Sequence, residues 1–207
     1  MALCRLQFCD CPIWVSAFVD RVNVQLLDNI FHLFLTHTSF IYVLAYTIQH
    51  PNIIITTEAL LLNNNELTGT LRDGFETFTR LNFTDLSNNQ LSGTIPGSFF
   101  EIPTLTNLYL NNNSFTGEIP SNYGNASSLR DLFLSSNSLT GTIPDINPGQ
   151  LGELNEFLLD NTRLEGNMPK SICNLRTSGR LEDLWVDCLG SSPEVACNVP
   201  ECCTACF

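Results

Sequence analysis

The sequence predicts an α/β solenoid, a right-handed superhelix of about five 24-residue coils with parallel β-strands on its concave face. Four asparagines recur every 24 residues, at Asn65, Asn89, Asn113 and Asn137, and a short L-x-L phrase precedes each of them, with Thr84 in place of the first leucine before Asn89. Alternating leucines point to one side of a strand, so each phrase buries one face and leaves the other free. A fixed period of this length indicates stacked repeats.

The same frame of residues defines each coil. It reads L-x-x-L-x-L-x-x-N-x-L-x-G-x-I-P, and its third occurrence contains Leu105, Leu108, Leu110, Asn113, Phe115, Gly117, Ile119 and Pro120. One coil has too few apolar side chains to offset the conformational entropy of ordering it. Stacked coils share their apolar faces, so an array of five can fold where one cannot.

The repeated asparagines are predicted to have a structural role. The bend after each strand frees backbone groups, and a buried amide at this position can hydrogen-bond them in every coil. This prediction covers Asn65, Asn89, Asn113 and Asn137. The fifth frame is one residue longer and has Thr162 at the asparagine position.

The frame resembles the plant-type leucine-rich repeat, the family of receptor ectodomains and polygalacturonase-inhibiting proteins. The resemblance covers roughly residues 57–188, and Thr57, Thr84 and Thr162 depart from it. It implies a non-enzymatic module that recognises another molecule through its concave face. The array itself is assigned to residues 53–188.

Residues 1–52 form an atypical N-terminal segment that contains an apolar stretch, residues 30–48. Nineteen residues without a formal charge are long enough to span a bilayer. Arg5 and Arg21 precede the stretch, and the next basic side chain is Arg72, so the repeats are expected outside the cell. A cleaved signal and an irregular N-terminal cap remain alternatives to a membrane anchor.

A cysteine-rich C-terminal cap is predicted for residues 189–207. Six of the nine cysteines lie near the C-terminus: Cys173, Cys188, Cys197, Cys202, Cys203 and Cys206. An even number of cysteines beside so few apolar residues indicates disulfides and an oxidising compartment. Zinc is the competing interpretation, because C-x4-C-C-x2-C has ligand-like spacing, but no histidine lies nearby.

The net charge of the protein limits the kinds of molecule that it is expected to bind. The net charge of −12 makes nucleic acid an improbable ligand and favours a basic ligand or a divalent cation. The sequence shows no motif for a cofactor or for a resident metal. It gives no information on the oligomeric state.

The outward strand positions are the candidate binding site. Between the strand leucines lie Tyr109, Phe133, Leu158 and Trp185, and beside them run Asp131, Glu156, Asp160 and Asp183. Exposed apolar surface marks interaction sites, and Tyr and Trp are enriched in them. We therefore expect a protein or peptide ligand with a basic rim. The alternative is that the aromatics pack on one another and the acids only maintain solubility.

Two other functions fit parts of the pattern. Asp131 and Glu156 lie on adjacent strands at a separation close to that used by retaining glycosidases, but an open face gives little burial to shift their pKa values. Hydroxyls flank the repeated glycines at Thr68, Thr70, Ser92, Thr94, Thr116, Thr140 and Thr142, so the array could bind an ice surface or a polysaccharide. Glu118 interrupts this pattern.

Overall fold

The computed structural model describes residues 58–188, 195–197 and 202–206. The N-terminal segment and the apolar stretch at residues 30–48 lie outside this part of the chain. No helix within the described part is long and apolar enough to cross a membrane.

One parallel sheet of seven strands runs along the array and forms its concave face. The strands, in spatial order, are β1 (Ala59–Leu61), β3 (Phe83–Asp85), β5 (Asn107–Tyr109), β7 (Asp131–Phe133), β9 (Glu156–Leu158), β12 (Asp183–Val186) and β14 (Ala205–Cys206). In the three-residue strands β1, β3, β5, β7 and β9, a buried central residue lies between side chains that are partly exposed in most coils. The alternating leucines produce this pattern, because successive side chains of a strand point to opposite faces.

A second parallel sheet, which the sequence did not predict, follows the bend in each coil. Its five strands are β2 (Thr68–Thr70), β4 (Gln90–Gly93), β6 (Ser114–Gly117), β8 (Ser138–Gly141) and β10 (Arg163–Leu164). Gly93 has a φ of +79°, and a Cβ built on it would lie 2.7 Å from Cγ2 of Thr70 in the preceding coil. Glycine is therefore needed both for the backbone conformation and for the close approach of the next coil.

The core lies between the two sheets and the 3-10 helices Phe75–Thr77, Gly97–Glu101 and Tyr123–Asn125. Phe75 and Phe99 stack with ring centroids 3.8 Å apart, and both are fully buried. Tyr123 is also buried, and its hydroxyl donates a hydrogen bond to the carbonyl oxygen of Pro144 at 2.7 Å. Burial raises the pKa of Tyr123 far above its ordinary value. Residues from successive coils thus fill one continuous core.

The repeated asparagines link each coil to the one before it. The side-chain amide of Asn113 donates to the carbonyl oxygens of Leu86 (2.9 Å) and Leu110 (3.1 Å), and its Oδ1 accepts from the backbone N–H of Leu91 at 3.0 Å. The same three bonds recur at Asn89 and Asn137. Within the described residues, Asn65 donates to Leu62 and Asn63 of its own coil.

The C-terminal end is covered by helix α1 (Lys170–Ser178) and three disulfides. Strand β13 (Val195–Ala196) pairs with β11 (Gly166–Asn167), and β14 pairs with β12. The disulfides join Cys173 to Cys202, Cys188 to Cys206 and Cys197 to Cys203. The prediction that the C-terminal cysteines form disulfides is confirmed, and it indicates an oxidising compartment.

Candidate functional site

The strand register aligns the outward side chains of the concave face in two rows. Residues before each central position pair in the order Ala59, Phe83, Asn107, Asp131, Glu156 and Asp183. Residues after it pair in the order Leu61, Asp85, Tyr109, Phe133, Leu158 and Trp185. We call Asp131, Glu156 and Asp183 the acidic row, and Tyr109, Phe133, Leu158 and Trp185 the apolar row. The two rows lie side by side in the C-terminal coils.

The apolar row contains a stacked aromatic pair. The rings of Tyr109 and Phe133 are 4.3 Å apart between centroids and inclined by only 9°, and Phe83 meets Tyr109 edge-on at 5.2 Å. The four members of the apolar row are half-buried, whereas Leu61 at the N-terminal end is 61% exposed. The rings therefore pack along the sheet, as the alternative interpretation expected, and still present apolar surface to solvent.

A hydrogen-bonded cluster fixes the N-terminal end of the acidic row. Oδ2 of Asp131 accepts hydrogen bonds from the side-chain amide of Asn107 and from the hydroxyl of Tyr109, the latter at 3.2 Å. Asn107 is itself held by the hydroxyl of Thr106, which donates to its Oδ1 at 2.7 Å. Burial raises the pKa of Tyr109, and the charge of Asp131 adds to this effect, although the hydrogen bond from Asn107 opposes it.

Glu156 is the central member of the acidic row. It pairs in register with Asp131 on one side and with Asp183 on the other. Burial raises the pKa of Glu156 above its ordinary value, and the negative charges of Asp131, Asp183 and Glu182 raise it further. A cation placed over this row would relieve the repulsion between neighbouring carboxylates.

Asp160 lies apart from the acidic row, at the bend after β9. Burial raises the pKa of Asp160, the charge of Asp187 raises it further, and a backbone hydrogen bond opposes both effects. Its Oδ1 is buried and has no hydrogen-bond partner among residues 58–188, 195–197 and 202–206. The carboxylate of Asp187 instead accepts from the backbone N–H groups of Asn161 and Thr162, both at 2.8 Å. In the preceding coils, backbone carbonyls of the next coil accept the corresponding bonds, so Asp187 takes over this role near the end of the array.

Two residues that the sequence interpretation missed belong to the surface. Phe83 extends the aromatic packing, and Asn107 holds Asp131 in place. Both occupy the outward position that the acidic row occupies in later coils. Both residues occupy the same position of the repeat as Asp131, and this position could have identified them from the sequence.

A polar groove of about 600 Å³ follows the amino ends of the strands. Its lining residues are Glu58, Arg80, Asn82, Pro103, Thr104, Thr106, Ser127, Ser128, Arg130 and Glu153. Arg80 pairs with Glu58, and Glu153 pairs with Arg180 outside the lining; both ion pairs are exposed. Such pairs contribute little to stability, about 0 to 1 kcal/mol each.

The second sheet places some of its hydroxyl residues opposite one another. Thr70 pairs with Ser92, and Ser92 pairs with Ser114. Thr68 pairs with Gln90, Thr116 with Ser138, and Thr140 with Arg163. The side chains of Thr68, Thr70, Thr94, Thr116, Thr140 and Thr142 are exposed. The register shifts along the strands from coil to coil, so hydroxyl residues pair with one another in part, and Gln90 and Arg163 interrupt their rows.

Potential metal-ligating atoms converge at one place in the described part of the chain. The sulfurs of Cys188, Cys197 and Cys203 lie within 4.8 Å of one another. All three belong to disulfides, so their proximity reflects the packing of two adjacent bridges.

The stacked coils, the two parallel sheets and the open concave face define a solenoid repeat protein with a surface suited to binding. A family model described as Leucine Rich Repeat matches residues 80–102, 104–126 and 128–148. The chain belongs to the leucine-rich repeat family and is of the kind found in plant receptor ectodomains.

Solved structures from plants support this assignment. A pollen receptor kinase 3 is 30% identical, with a TM-score of 0.59 over 74% of this chain and 68% of that one. The plant peptide hormone receptor RGFR1, solved in complex with RGF2, is 36% identical, with a TM-score of 0.60 over 68% of this chain and 22% of the receptor. A plant ice-binding protein is 28% identical, with a TM-score of 0.56 over 68% of this chain and 43% of that one.

This chain therefore spans less than two thirds of the length of RGFR1 and of the ice-binding protein. No curated protein sequence matches it.

Proposed function

We propose that this protein is an extracellular binding module that recognises a basic protein or peptide through the concave face of its C-terminal coils. The observation that carries the proposal is the side-by-side placement of the acidic and apolar rows, which the register of β5, β7, β9 and β12 produces. Arginine and lysine side chains suit such a surface, because they pair with carboxylates and stack on aromatic rings.

The comparisons support the class of partner. RGFR1 was solved in complex with RGF2, and another similar structure is that of the receptor kinase HAESA with the peptide hormone IDA and the co-receptor SERK1. Peptide and protein recognition is thus represented among receptors of the same fold. The disulfides and the similarity to ectodomains support a location outside the cell.

The face suits binding better than glycoside cleavage. The side chains of Asp131 and Glu156 are both partly exposed to solvent, whereas paired catalytic carboxylates need environments that push their pKa values apart. Neighbouring like charges instead favour a cationic ligand. We therefore infer a non-enzymatic role.

Selection of peptides from a random display library on the folded protein tests the proposal. We expect the selected peptides to combine Arg or Lys with apolar residues, and to lose about tenfold or more in affinity for Asp131→Asn/Glu156→Gln, a loss of ~1.4 kcal/mol or more. The matched control is Glu118→Gln/Glu165→Gln, which removes two exposed charges that immediately follow β6 and β10 of the second sheet. Equal weakening by both double variants would show that net charge, and not the concave face, determines binding.

Ice binding by the second sheet is the second candidate, because a plant ice-binding protein shares the fold and the threonines of this sheet are exposed. The pairs Thr70–Ser92 and Thr116–Ser138 support it, but Gln90 and Arg163 interrupt the rows of hydroxyls that a flat lattice requires. Thermal hysteresis in the wild-type protein, abolished in Thr116→Val/Thr140→Val, would favour it over the concave-face proposal.

A further inference from the structure

Thr84 occupies a core position that leucine fills in the neighbouring coils. It pairs in register with Leu60 on one side and Leu108 on the other, and it is fully buried. Its hydroxyl has no hydrogen-bond partner within the part of the chain that the structure describes. An unpaired buried hydroxyl is unfavourable relative to an apolar group of the same shape. Packing therefore does not account for the hydroxyl of Thr84.

The local sequence does account for it. Asn82, Phe83 and Thr84 form an N-x-T acceptor for N-linked glycosylation. Glycan transfer takes place on the growing chain, before a coil has closed over its core. The hydroxyl of Thr84 needs to be accessible only at that stage, and its burial afterwards is compatible with modification.

Asn82 is also placed to carry a glycan in the folded protein. Its backbone carbonyl accepts hydrogen bonds from the N–H groups of Thr106 (2.7 Å) and Asn107 (3.1 Å) and from the hydroxyl of Thr106 at 2.9 Å. Its side chain is exposed, lines the polar groove and has no hydrogen-bond partner among the described residues. A glycan could extend into solvent from a fixed backbone without displacing a contact.

The other two acceptor sequences lack this combination. The side-chain amide of Asn125 donates to Glu101 at 3.0 Å, and its oxygen accepts from Gln150 at 3.1 Å, so a glycan there would compete with existing bonds. Asn112 is exposed, but Ser114 is an exposed strand residue whose hydroxyl needs no explanation. For Asn82, two independent observations therefore indicate glycosylation: the buried, unpaired hydroxyl of Thr84 and the exposed side chain of Asn82 itself.

We propose that Asn82 carries an N-linked glycan in the exported protein. The amide nitrogen attacks the anomeric carbon of a lipid-linked oligosaccharide diphosphate. The N–C bond forms as the C–O bond to the diphosphate breaks, the nitrogen loses one proton, and the lipid diphosphate leaves. The inference rests on the proposed extracellular location but not on the identity of the concave-face partner.

The position of the glycan would restrict the binding surface. Asn82 immediately precedes β3, so the sugar stands at the amino end of the concave sheet, beside Arg80 and Thr104. A bulky, solvated group there keeps a protein partner away from this edge of the N-terminal coils. Contact is thereby directed towards the coils that carry the acidic and apolar rows.

Translation of the full chain behind a cleavable secretion leader, in a eukaryotic extract with microsomes, tests the proposal. The chain protected from protease is treated with an amidase that removes N-glycans and leaves aspartate, and residue 82 is read by mass spectrometry. We expect aspartate at residue 82 in the wild type and in Thr84→Ser, and asparagine in Thr84→Val. Asn82→Gln should lack the glycan at this position. An unmodified Asn82 in the protected wild-type chain would overturn the proposal.

A second measurement tests the argument from burial. Thr84→Val keeps the shape of the side chain and removes both the hydroxyl and the acceptor sequence, so in unglycosylated protein its melting temperature should equal or exceed that of the wild type. A lower melting temperature would mean that the hydroxyl has a structural role, and the case for Asn82 would fall. Peptide selection on unglycosylated protein remains an independent test of the concave face.

Discussion

The rings of Tyr109 and Phe133 lie on adjacent strands, nearly parallel and 4.3 Å apart. Their stacking joins two coils, and the two rings also present apolar surface beside the acidic row. One contact thus contributes to stability and to the candidate binding surface. The two contributions can be separated, because the affinity for a binding partner and the stability of the free protein are measured in independent experiments.

We expect Phe133→Ala to weaken binding of a selected peptide by about tenfold or more, as truncation of an interface hot spot costs ~2 kcal/mol. The free protein should lose about 1 kcal/mol or more of stability from the stacked pair. Calorimetric titration and thermal unfolding measure the two effects. Leu61→Ala, at the exposed end of the face, is the control and should leave peptide affinity unchanged; unaltered affinity in Phe133→Ala would remove this ring from the site.

The stability of the protein should depend on the protonation of Glu156. Because its pKa is raised by folding, the folded state binds more protons than the unfolded state between the two pKa values, and stability falls as pH rises through that window. Glu156→Gln should therefore raise the melting temperature at neutral pH by about 1 to 4 °C, from ~0.2 to 1 kcal/mol per like-charged pair.

The gain from Glu156→Gln should shrink as the pH falls below the folded pKa, where the wild-type carboxyl is already neutral. Thermal unfolding of both proteins across pH 4 to 8 measures it. Glu118→Gln, immediately after β6 of the second sheet, is the control. A gain for Glu156→Gln that is independent of pH would show that repulsion within the acidic row is not its cause.

Replacement of Asn113 should be far more damaging than replacement of its neighbour Asn111. Asn113→Ala leaves two carbonyls and one N–H group without their partners, and we expect a loss of about 3 kcal/mol, from ~1 kcal/mol for each of these three partly buried groups. Asn111→Ala removes an outward side chain and should change stability by less than about 0.5 kcal/mol. Chemical denaturation of both variants provides the measurement, and similar losses would contradict the assigned role.

The three disulfides should differ in their contribution to stability. Cys173 and Cys202 close a loop with a sequence separation of 29 residues, whereas Cys197 and Cys203 are separated by only 6. Loop-closure entropy predicts that Cys173→Ala/Cys202→Ala costs about 1 kcal/mol more than Cys197→Ala/Cys203→Ala. Denaturation of the two double variants measures the difference, and a larger loss from the shorter loop would contradict it.

Much of the fold could be predicted because its causes are local. The spacing of Leu108, Leu110 and Asn113 within one coil fixes which side chains turn inward, and repetition carries that assignment through the array. The second sheet could not be predicted in the same way. Its strands contain Gly117 and Gly141 at positive φ, and they pair only because the coils already lie against one another.

The sequence predicts which repeat positions form the candidate site, but it does not predict the side-chain contacts within that site. Asp131 and Glu156 are 25 residues apart because one coil is longer, yet they pair directly, as predicted. The bonds from Asn107 and Tyr109 to Asp131 depend on side-chain orientations that a pattern does not contain. Asp160 was grouped with the acids of the strands, although the structure places it at the bend.

The sequence by itself determined the length of the repeat, which repeat positions face the core and which strand positions face outward. These follow from strand alternation and repeat length, which are properties of the chain. Tertiary structure decided the pairing of six cysteines among fifteen alternatives, the offset register of the second sheet and the unpaired hydroxyl of Thr84. Each of these depends on distances between coils, and such distances exist only after stacking has brought remote segments together.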